Sequence, residues 1–389
     1  MTLRYRAAIV GAAESTCLGV VPDQTSFQLA LDAVSGALAD CALRPSDIDG
    51  IAGDQPAVLA KYFGIVPAWA DNTQLGGGSY LLHVRHAAAA IAAGLCTTVL
   101  VSMGSSGRSR FGEPGGRLSD VTAAQAWRMT PLDDQFETPY GIVGPTTTMG
   151  LGVMRYLADT GTTLEQLASV PVAQRRWAQR VPRAMYRDLI SIDDVFASRP
   201  VCYPFHLLHC CLQTDGGGAL VITTPERAAD LPRPPVYLLG SGEGVETHLI
   251  SQMEDLTSSA AFRLAARAAF AEAGIARGEV DHMMVYDAFA HLPLFALEDA
   301  GFVGRGEAGA FVAEGHTSPG GRLPLNTNGG GLSYTHTGAY GMFLMQEAIR
   351  QLRGEAAHQV PGVRISYCHA IGGPFWSAAS LLLTNHAPG

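Results

Sequence analysis

Lysine is almost missing from this sequence. Among 389 residues and 26 basic side chains, Lys61 is the single lysine. A phosphate-binding P-loop needs lysine directly after glycine, and Lys61 follows Ala60, so that motif is absent. Any Schiff-base chemistry would have to run through Lys61 as well. Paired cysteines are also missing. The seven cysteines, Cys17, Cys41, Cys96, Cys202, Cys210, Cys211 and Cys368, are odd in number and form no CxxC pair, which reads as a reduced, cytoplasmic protein. No signal peptide is expected, because Arg4 and Arg6 lead straight into Ala7-Ala8-Ile9-Val10-Gly11. No membrane span is expected either. The longest apolar run, Ala87 to Met103, is divided by Gly94 and continues in β-branched residues, so it reads as helix then strand. Positive charge is in deficit, with a formal net charge of -9. Such a chain repels phosphate backbones, which argues against a nucleic-acid partner. A local basic patch for a phosphorylated small molecule stays open.

What is present suits a large core. Hydrophobic residues make up 47% of the chain and charged residues 16%, enough for two or three domains. The two ends of the chain repeat one pattern. Near the start come a strand (Ala7 to Gly11), a helix (Ser26 to Leu43), a short strand (Gly50 to Gly53), the turn Gly76-Gly77-Gly78, a helix ending at Gly94 and a strand from Thr97. Later come Val236 to Gly240, the helix Ala261 to Ile275, a strand through Met283-Met284-Val285, the turn Gly329-Gly330-Gly331, a helix ending at Gly354 and a strand from Val363. This order predicts a mostly parallel sheet in each half, with two sheets packed across shared helices. Between the halves, Arg108 to Pro200 breaks the pattern. It holds Met129, Pro131, Tyr140, Pro145 and the arginine-rich run Arg175 to Arg187, and reads as a helical insertion with loops.

Three motifs carry a family resemblance. Asn326-Thr327-Asn328-Gly329-Gly330-Gly331-Leu332-Ser333-Tyr334-Thr335-His336 resembles the thiolase segment N-x-N-G-G-x-I-A-x-G-H-P, with Thr337 in place of proline. Tyr286-Asp287-Ala288-Phe289 is similar to the N-E-A-F or H-D-C-F box, and Cys368-His369-Ala370-Ile371-Gly372-Gly373 to the C-terminal cysteine loop. Thr214 to Val221 fits the family's D-G-A-A-A strand. The likeness covers nearly the whole chain. The branch it most resembles holds the sterol-carrier-protein-x type thiolases and the aldolases that cleave steroid side-chain thioesters, which carry Y-D-x-F at the box. It implies an α/β thiolase fold, a duplicated five-layer αβαβα arrangement with a helical loop insertion. Residues 1–107 with 201–233 would form the N-terminal half, 108–200 the insertion, and 234–389 the C-terminal half.

The departure from the family is chemical. A thiolase nucleophile is a cysteine at the start of a buried helix. Counting back from Gly94 by the family's spacing reaches Gly77, within Leu75-Gly76-Gly77-Gly78-Ser79, and no cysteine lies nearby. Without it no acyl-enzyme forms. What remains suits a thioester enolate, which needs fixed donors in a dry pocket. By resemblance His336 supplies such a donor, Tyr286 acts as acid, base or donor, and Cys368 aligns with the base cysteine. Gly330, Gly331, Gly372 and Gly373 would let the backbone approach a coenzyme A thioester. The plainer alternatives are a structural histidine, an aromatic plug at Tyr286, and a buried small hydrophobe at Cys368. Asp287 reads as structural. His206-Leu207-Leu208-His209-Cys210-Cys211 matches no zinc template and reads as packing. Arg175, Arg176, Arg180, Arg183 and Arg187 suit either the phosphates of coenzyme A or a solvated helix face.

The resulting expectation is a retro-aldolase that cleaves a β-hydroxyacyl-CoA to a ketone or aldehyde and a shorter acyl-CoA. The alternatives are a thiolase or acyltransferase with a relocated cysteine, and a non-catalytic subunit. Coenzyme A enters as part of the substrate, with no permanently bound cofactor and no metal. The resemblance also implies a homodimer built around Gly76 to Val101 and a small zinc-ribbon and OB-fold partner protein. Because the single lysine stands outside every motif, Lys61→Ala is expected to leave turnover intact. Loss of activity in a folded Lys61→Ala protein would reinstate an imine mechanism.

Overall fold

The computed structural model describes residues 2–110 and 131–388; Met129 and its neighbours lie outside them. The strands are β1 (Ala8–Glu14), β2 (Gly50–Gly53), β3 (Trp69–Asp71), β4 (Thr98–Ser105), β5 (Pro200–Cys202), β6 (Phe205–His206), β7 (Gly216–Thr223), β8 (Val236–Val245), β9 (His282–Val285), β10 (Ile365–Gly372) and β11 (Ser377–Thr384). β5 and β6 form a small hairpin. The rest make one sheet of order β3-β2-β4-β7-β1-β8-β11-β10-β9. The seam between the halves is narrow, because β1 meets β8 only at Ala8↔Tyr237 and Ile9↔Val236.

The duplication is real at the level of packing. Helix α1 (Ser26–Cys41) starts at a capping box in which Thr25 and Gln28 satisfy each other's backbone. Its apolar stripe, Leu29 to Cys41, covers β1, β4 and β7. The helix Ala260–Ala273 covers β8 and β11 in the same way. In both halves the fourth residue after the repeat begins is a glycine that lets the helix approach: a Cβ on Gly11 would lie 2.3 Å from the Ala37 carbonyl, and one on Gly240 2.3 Å from that of Ala269. Between the two half-sheets run helix α3 (Ser79–Ala92), which follows the short α2 (Pro56–Phe63), and the helix Gly341–Arg353; both are largely buried, the second with Gln346, Glu347 and Gln351 satisfied by hydrogen bonds inside the core. The layers are thus helix, sheet, paired central helices, sheet, helix, a mixed α/β thiolase-like architecture.

One expectation needs correction. The half-sheets are mixed rather than mostly parallel. β2 pairs in parallel with β3 and β4, and β10 with β9, but β7 and β11 run antiparallel to both of their neighbours. The reason is connectivity: β11 follows β10 through a tight turn, which can only make an antiparallel hairpin, whereas parallel neighbours need a helical crossover. The run Ala87 to Met103 divides as expected, with Gly94 in the left-handed region at φ 72 between α3 and β4. Among the described residues no helix is long and apolar enough to cross a membrane. Between the halves, the described part of the insertion is helical, at Pro131–Phe136, Pro145–Thr160, Leu164–Ala178 and Ile192–Ala197.

Candidate active site

β9 ends at Val285, and the chain turns there because Asn326 takes over its edge. The Asn326 side chain accepts from Val285 N at 2.8 Å, its own N–H reaches Met283 O at 3.0 Å, and its backbone is left-handed at φ 53. Tyr286 follows, its N–H bonded to His369 O of β10 at 2.9 Å. Asp287, fully buried, accepts from Gly331 N at 2.7 Å and Leu332 N at 3.4 Å. That tie brings the turn at Gly329–Gly331 under the end of β9. His336, three residues past the turn's short helix Gly330–Ser333, is held from the other side by the segment before β7: its N–H donates to Thr214 Oγ1 at 3.0 Å, and Thr214 N donates to His336 O at 3.2 Å.

The two side chains meet. His336 Nε2 lies 3.0 Å from the Tyr286 hydroxyl, the rings edge to face with centroids 5.4 Å apart. The hydrogen-bond pattern assigns the tautomer. Gly338 N–H points to His336 Nδ1 at 3.3 Å, so Nδ1 accepts and Nε2 carries the hydrogen. Nε2–H therefore donates to the tyrosine oxygen, and the tyrosine donates onward to Gly338 O at 3.2 Å. Burial pushes the His336 pKa down to about 4 and keeps the ring neutral. Burial, and next the adjacent Cys211 thiol, push the Tyr286 phenol far above its ordinary range, so it is neutral too. Tyr340 closes the far side, its ring 6.0 Å from that of Tyr286 and its hydroxyl donating to Asn328 Oδ1 at 2.8 Å.

Gly77 faces this pair. The turn Gly76–Gly78 leads into α3, with Ser79 Oγ donating to Gly76 O and accepting from Leu75 N. A Cβ built on Gly77 would lie 2.3 to 2.5 Å from Cε2, Cζ and the hydroxyl of Tyr286. A Cβ on Gly341, where the other central helix starts, would meet Gly77 O at 2.3 Å. Both central helices thus begin at the Tyr286 hydroxyl, with N-terminal ends that favour negative charge nearby.

The other sequence candidates stand around this pair in different ways. Cys368 lies inside β10, not in a loop, opposite Leu381 and Met284. It is wholly buried, and burial drives its thiol up to about 12. Gly330 and Gly331 are buried against Asp287, whose carboxylate lies 2.1 and 3.0 Å from where their Cβ atoms would stand. Gly372 packs on the Leu75 carbonyl and Gly373 on the Trp376 ring, beside the turn that carries Gly77. Arg175 turns inward, donating to Ser333 Oγ and Asp188 O, and Arg183 donates to Ser15 O beside Glu14. Arg176, Arg180 and Arg187 are exposed, as is Lys61 on the helix Pro56–Phe63. Among the described residues no group of three potential ligands could hold a metal ion. Cys211 belongs to the packing segment His206–Cys211; its backbone N–H pairs with Ala288 O at 2.9 Å, and it lies beside Tyr286, partly accessible.

Comparison with known proteins gives a consistent set of relatives. Residues 242–385 match the family described as thiolase C-terminal domain-like. The chain is 34% identical over 376 residues to the 17-hydroxy-3-oxo-4-pregnene-20-carboxyl-CoA lyase of Mycobacterium tuberculosis, covering 93% of this chain and 95% of that one. It is 34% identical over 381 residues to the steroid side-chain-cleaving aldolase of Thermomonospora curvata, covering 93% and 94%. The solved Ltp2-ChsH2(DUF35) aldolase superposes with a TM-score of 0.87 at 31% identity, covering 99% of each chain. A monomeric SCP2-thiolase like protein type 1 from Mycobacterium smegmatis, at 22% identity and a TM-score of 0.76, shares the fold over all of this chain and 79% of its own.

The buried carboxylate generates a pH prediction. Burial raises Asp287 from 3.8 to about 7. Between those values the folded state holds the proton and the unfolded state does not, so the contribution is fully present below about pH 4 and is lost as pH rises through 7. Denaturant unfolding of wild type and Asp287→Asn across pH 4–8 should show wild type losing about 2–4 kcal/mol that the variant does not lose. Parallel profiles would remove this assignment.

Proposed function

The chain belongs to the thiolase superfamily, in the SCP2-thiolase-like branch that includes the steroid side-chain-cleaving aldolases, and on that premise we propose that Tyr286 and His336 perform a retro-aldol cleavage. The protein is a thiolase-fold carbon–carbon lyase acting on an acyl-CoA. The observation that carries the residue-level reading is that the Tyr286 hydroxyl stands where a side chain on Gly77 would be, in hydrogen-bond contact with His336.

The substrate is a β-hydroxyacyl-CoA, with a steroid-like side chain favoured by the names of the relatives. The Tyr286 oxygen takes the β-hydroxyl proton while its own phenolic proton passes to Cα, so the phenol is neutral before and after the step. The Cα–Cβ bond breaks as this happens, its electron pair going to Cα with enolate character on the thioester oxygen, and a ketone or aldehyde leaves alongside the shorter acyl-CoA. One proton leaves oxygen and one arrives at carbon, so a tyrosine that is neutral at rest suffices for the cycle. His336 Nε2–H, which donates to the tyrosine oxygen at rest, is the donor available to the thioester oxygen as enolate character develops there. Gly372 and Gly373, next to the Gly76–Gly78 turn, are the glycines suited to backing the thioester. Gly330 and Gly331 act through Asp287. Cys368 is given no chemical role, since its burial favours the inert thiol.

Assembly follows the same reading. One solved relative is named for two components, Ltp2 and ChsH2(DUF35), which supports a DUF35-type partner with an OB-fold and zinc ribbon here. A homodimer is supported by β3, an edge strand of the sheet, beside a groove of about 430 Å³ lined by Trp69, His86, Ala89 and Ala93. Sedimentation at micromolar concentration should give twice the 40.9 kDa chain mass; a 40.9 kDa species alone would reject the homodimer. The seven cysteines are all free, which suits a reducing, cytoplasmic setting.

Incubation with a β-hydroxyacyl-CoA is expected to release a carbonyl product and a shorter acyl-CoA without added free CoA. Tyr286→Phe should lower kcat by about 10²–10⁴ and His336→Ala by about 10²–10³, while Cys368→Ala stays near wild type. An acyl group trapped on any cysteine, seen by mass spectrometry, would instead make this an acyltransferase.

A further inference from the structure

We propose that Gly77 determines which reaction the site performs, because the side chain it lacks would occupy the volume in which Tyr286 works. The chemical meaning rests on the retro-aldol reading; the geometry does not. A Cβ on Gly77 would stand 2.3 Å from Cε2, 2.4 Å from Cζ and 2.5 Å from the hydroxyl oxygen of Tyr286, and these are its three nearest atoms. The backbone itself does not ask for glycine there, since Gly77 has no left-handed φ. Its neighbours differ. Gly76 is left-handed at φ +76, and a Cβ would strike the backbone of Gly372 and Gly373; at Gly78 the nearest atoms would stand 3.3 Å away. Of three consecutive glycines, the middle one is the one whose three nearest atoms all belong to Tyr286.

Tyr286 has nowhere to retreat. Its ring is buried between His336 and Tyr340, its hydroxyl is held by His336 and Gly338, and its backbone is pinned to His369. A side chain on residue 77 and a tyrosine at 286 are therefore alternatives. With a thiol at 77, sulfur would bond to the thioester carbonyl carbon, the bond to the CoA sulfur would break, and the thiol proton would leave with CoA. With tyrosine at 286, the proton exchange of the retro-aldol step takes that space instead. The fold admits one or the other.

The test is a double-mutant cycle. Thermal unfolding and lyase turnover of a β-hydroxyacyl-CoA are measured for wild type, Gly77→Ala, Tyr286→Ala and the double variant. Gly77→Ala should lower Tm and reduce kcat by about 10² or more, whereas adding it to Tyr286→Ala should leave Tm unchanged or raise it. If Gly77→Ala fails to fold, recovery of folding in the double variant supports the same conclusion. A wild-type Tm and turnover for Gly77→Ala, an equal Tm loss in both backgrounds, or a double variant that also fails to fold would overturn the proposal. Tm coupling without wild-type lyase turnover would leave the steric rule standing and remove the retro-aldol reading. Turnover without coupling would do the reverse.

Discussion

A carboxylate without solvent holds this site together. Asp287 is completely buried, and its oxygens take the N–H groups of Gly331 and Leu332. Through those bonds the end of β9, which carries Tyr286, is joined to the turn that leads to His336. Hydrogen bonds to a charged group contribute about 1.5–3 kcal/mol each, and the raised pKa of Asp287 is the cost of withdrawing it from water. Gly330 reflects the same constraint. It is left-handed at φ +68, and any side chain would run into the carboxylate. The 3.0 Å contact between Tyr286 and His336 is a consequence, since both residues ride on that bridge.

The duplicated architecture supplies the rest. Each half contributes a glycine turn followed by a buried central helix, and the two helices start side by side where Gly341 packs on the Gly77 carbonyl. Gly77 comes from the first half, Tyr286 and His336 from the second, and Thr214 from the segment before β7. The site therefore exists only where the halves meet. The proposed chemistry suits that setting. A neutral tyrosine and a neutral histidine avoid the penalty of burying an unpaired charge, and the two helix N-termini become useful only when negative charge develops during the reaction.

The motifs N-T-N-G-G-G…H and Y-D-A-F, together with the repeated strand and helix order, were legible in the sequence, because local periodicity and short motifs record which element a residue sits on. They identified the family, the missing cysteine, and Tyr286 and His336 as the residues to watch. Sheet direction was not legible, since it depends on which strands become neighbours rather than on their own composition. Cys368 is the instructive case. The motif placed it by sequence spacing, but β10 runs on to Gly372, which leaves that thiol inside the sheet.

The sequence by itself determined that a thiolase-type chain carries glycine where a nucleophile would stand and tyrosine where the family carries asparagine or histidine. It left these as two separate departures. Only the tertiary structure decided that they concern one volume, that Gly330 and Gly331 serve Asp287, and that Arg175 and Arg183 turn to protein partners. The physical reason is excluded volume. Residues 77 and 286 belong to different halves of the fold and share no local pattern, and packed atoms cannot overlap. Their dependence on each other arises only once the central helices are stacked and the tyrosine ring has filled the space beside Gly77.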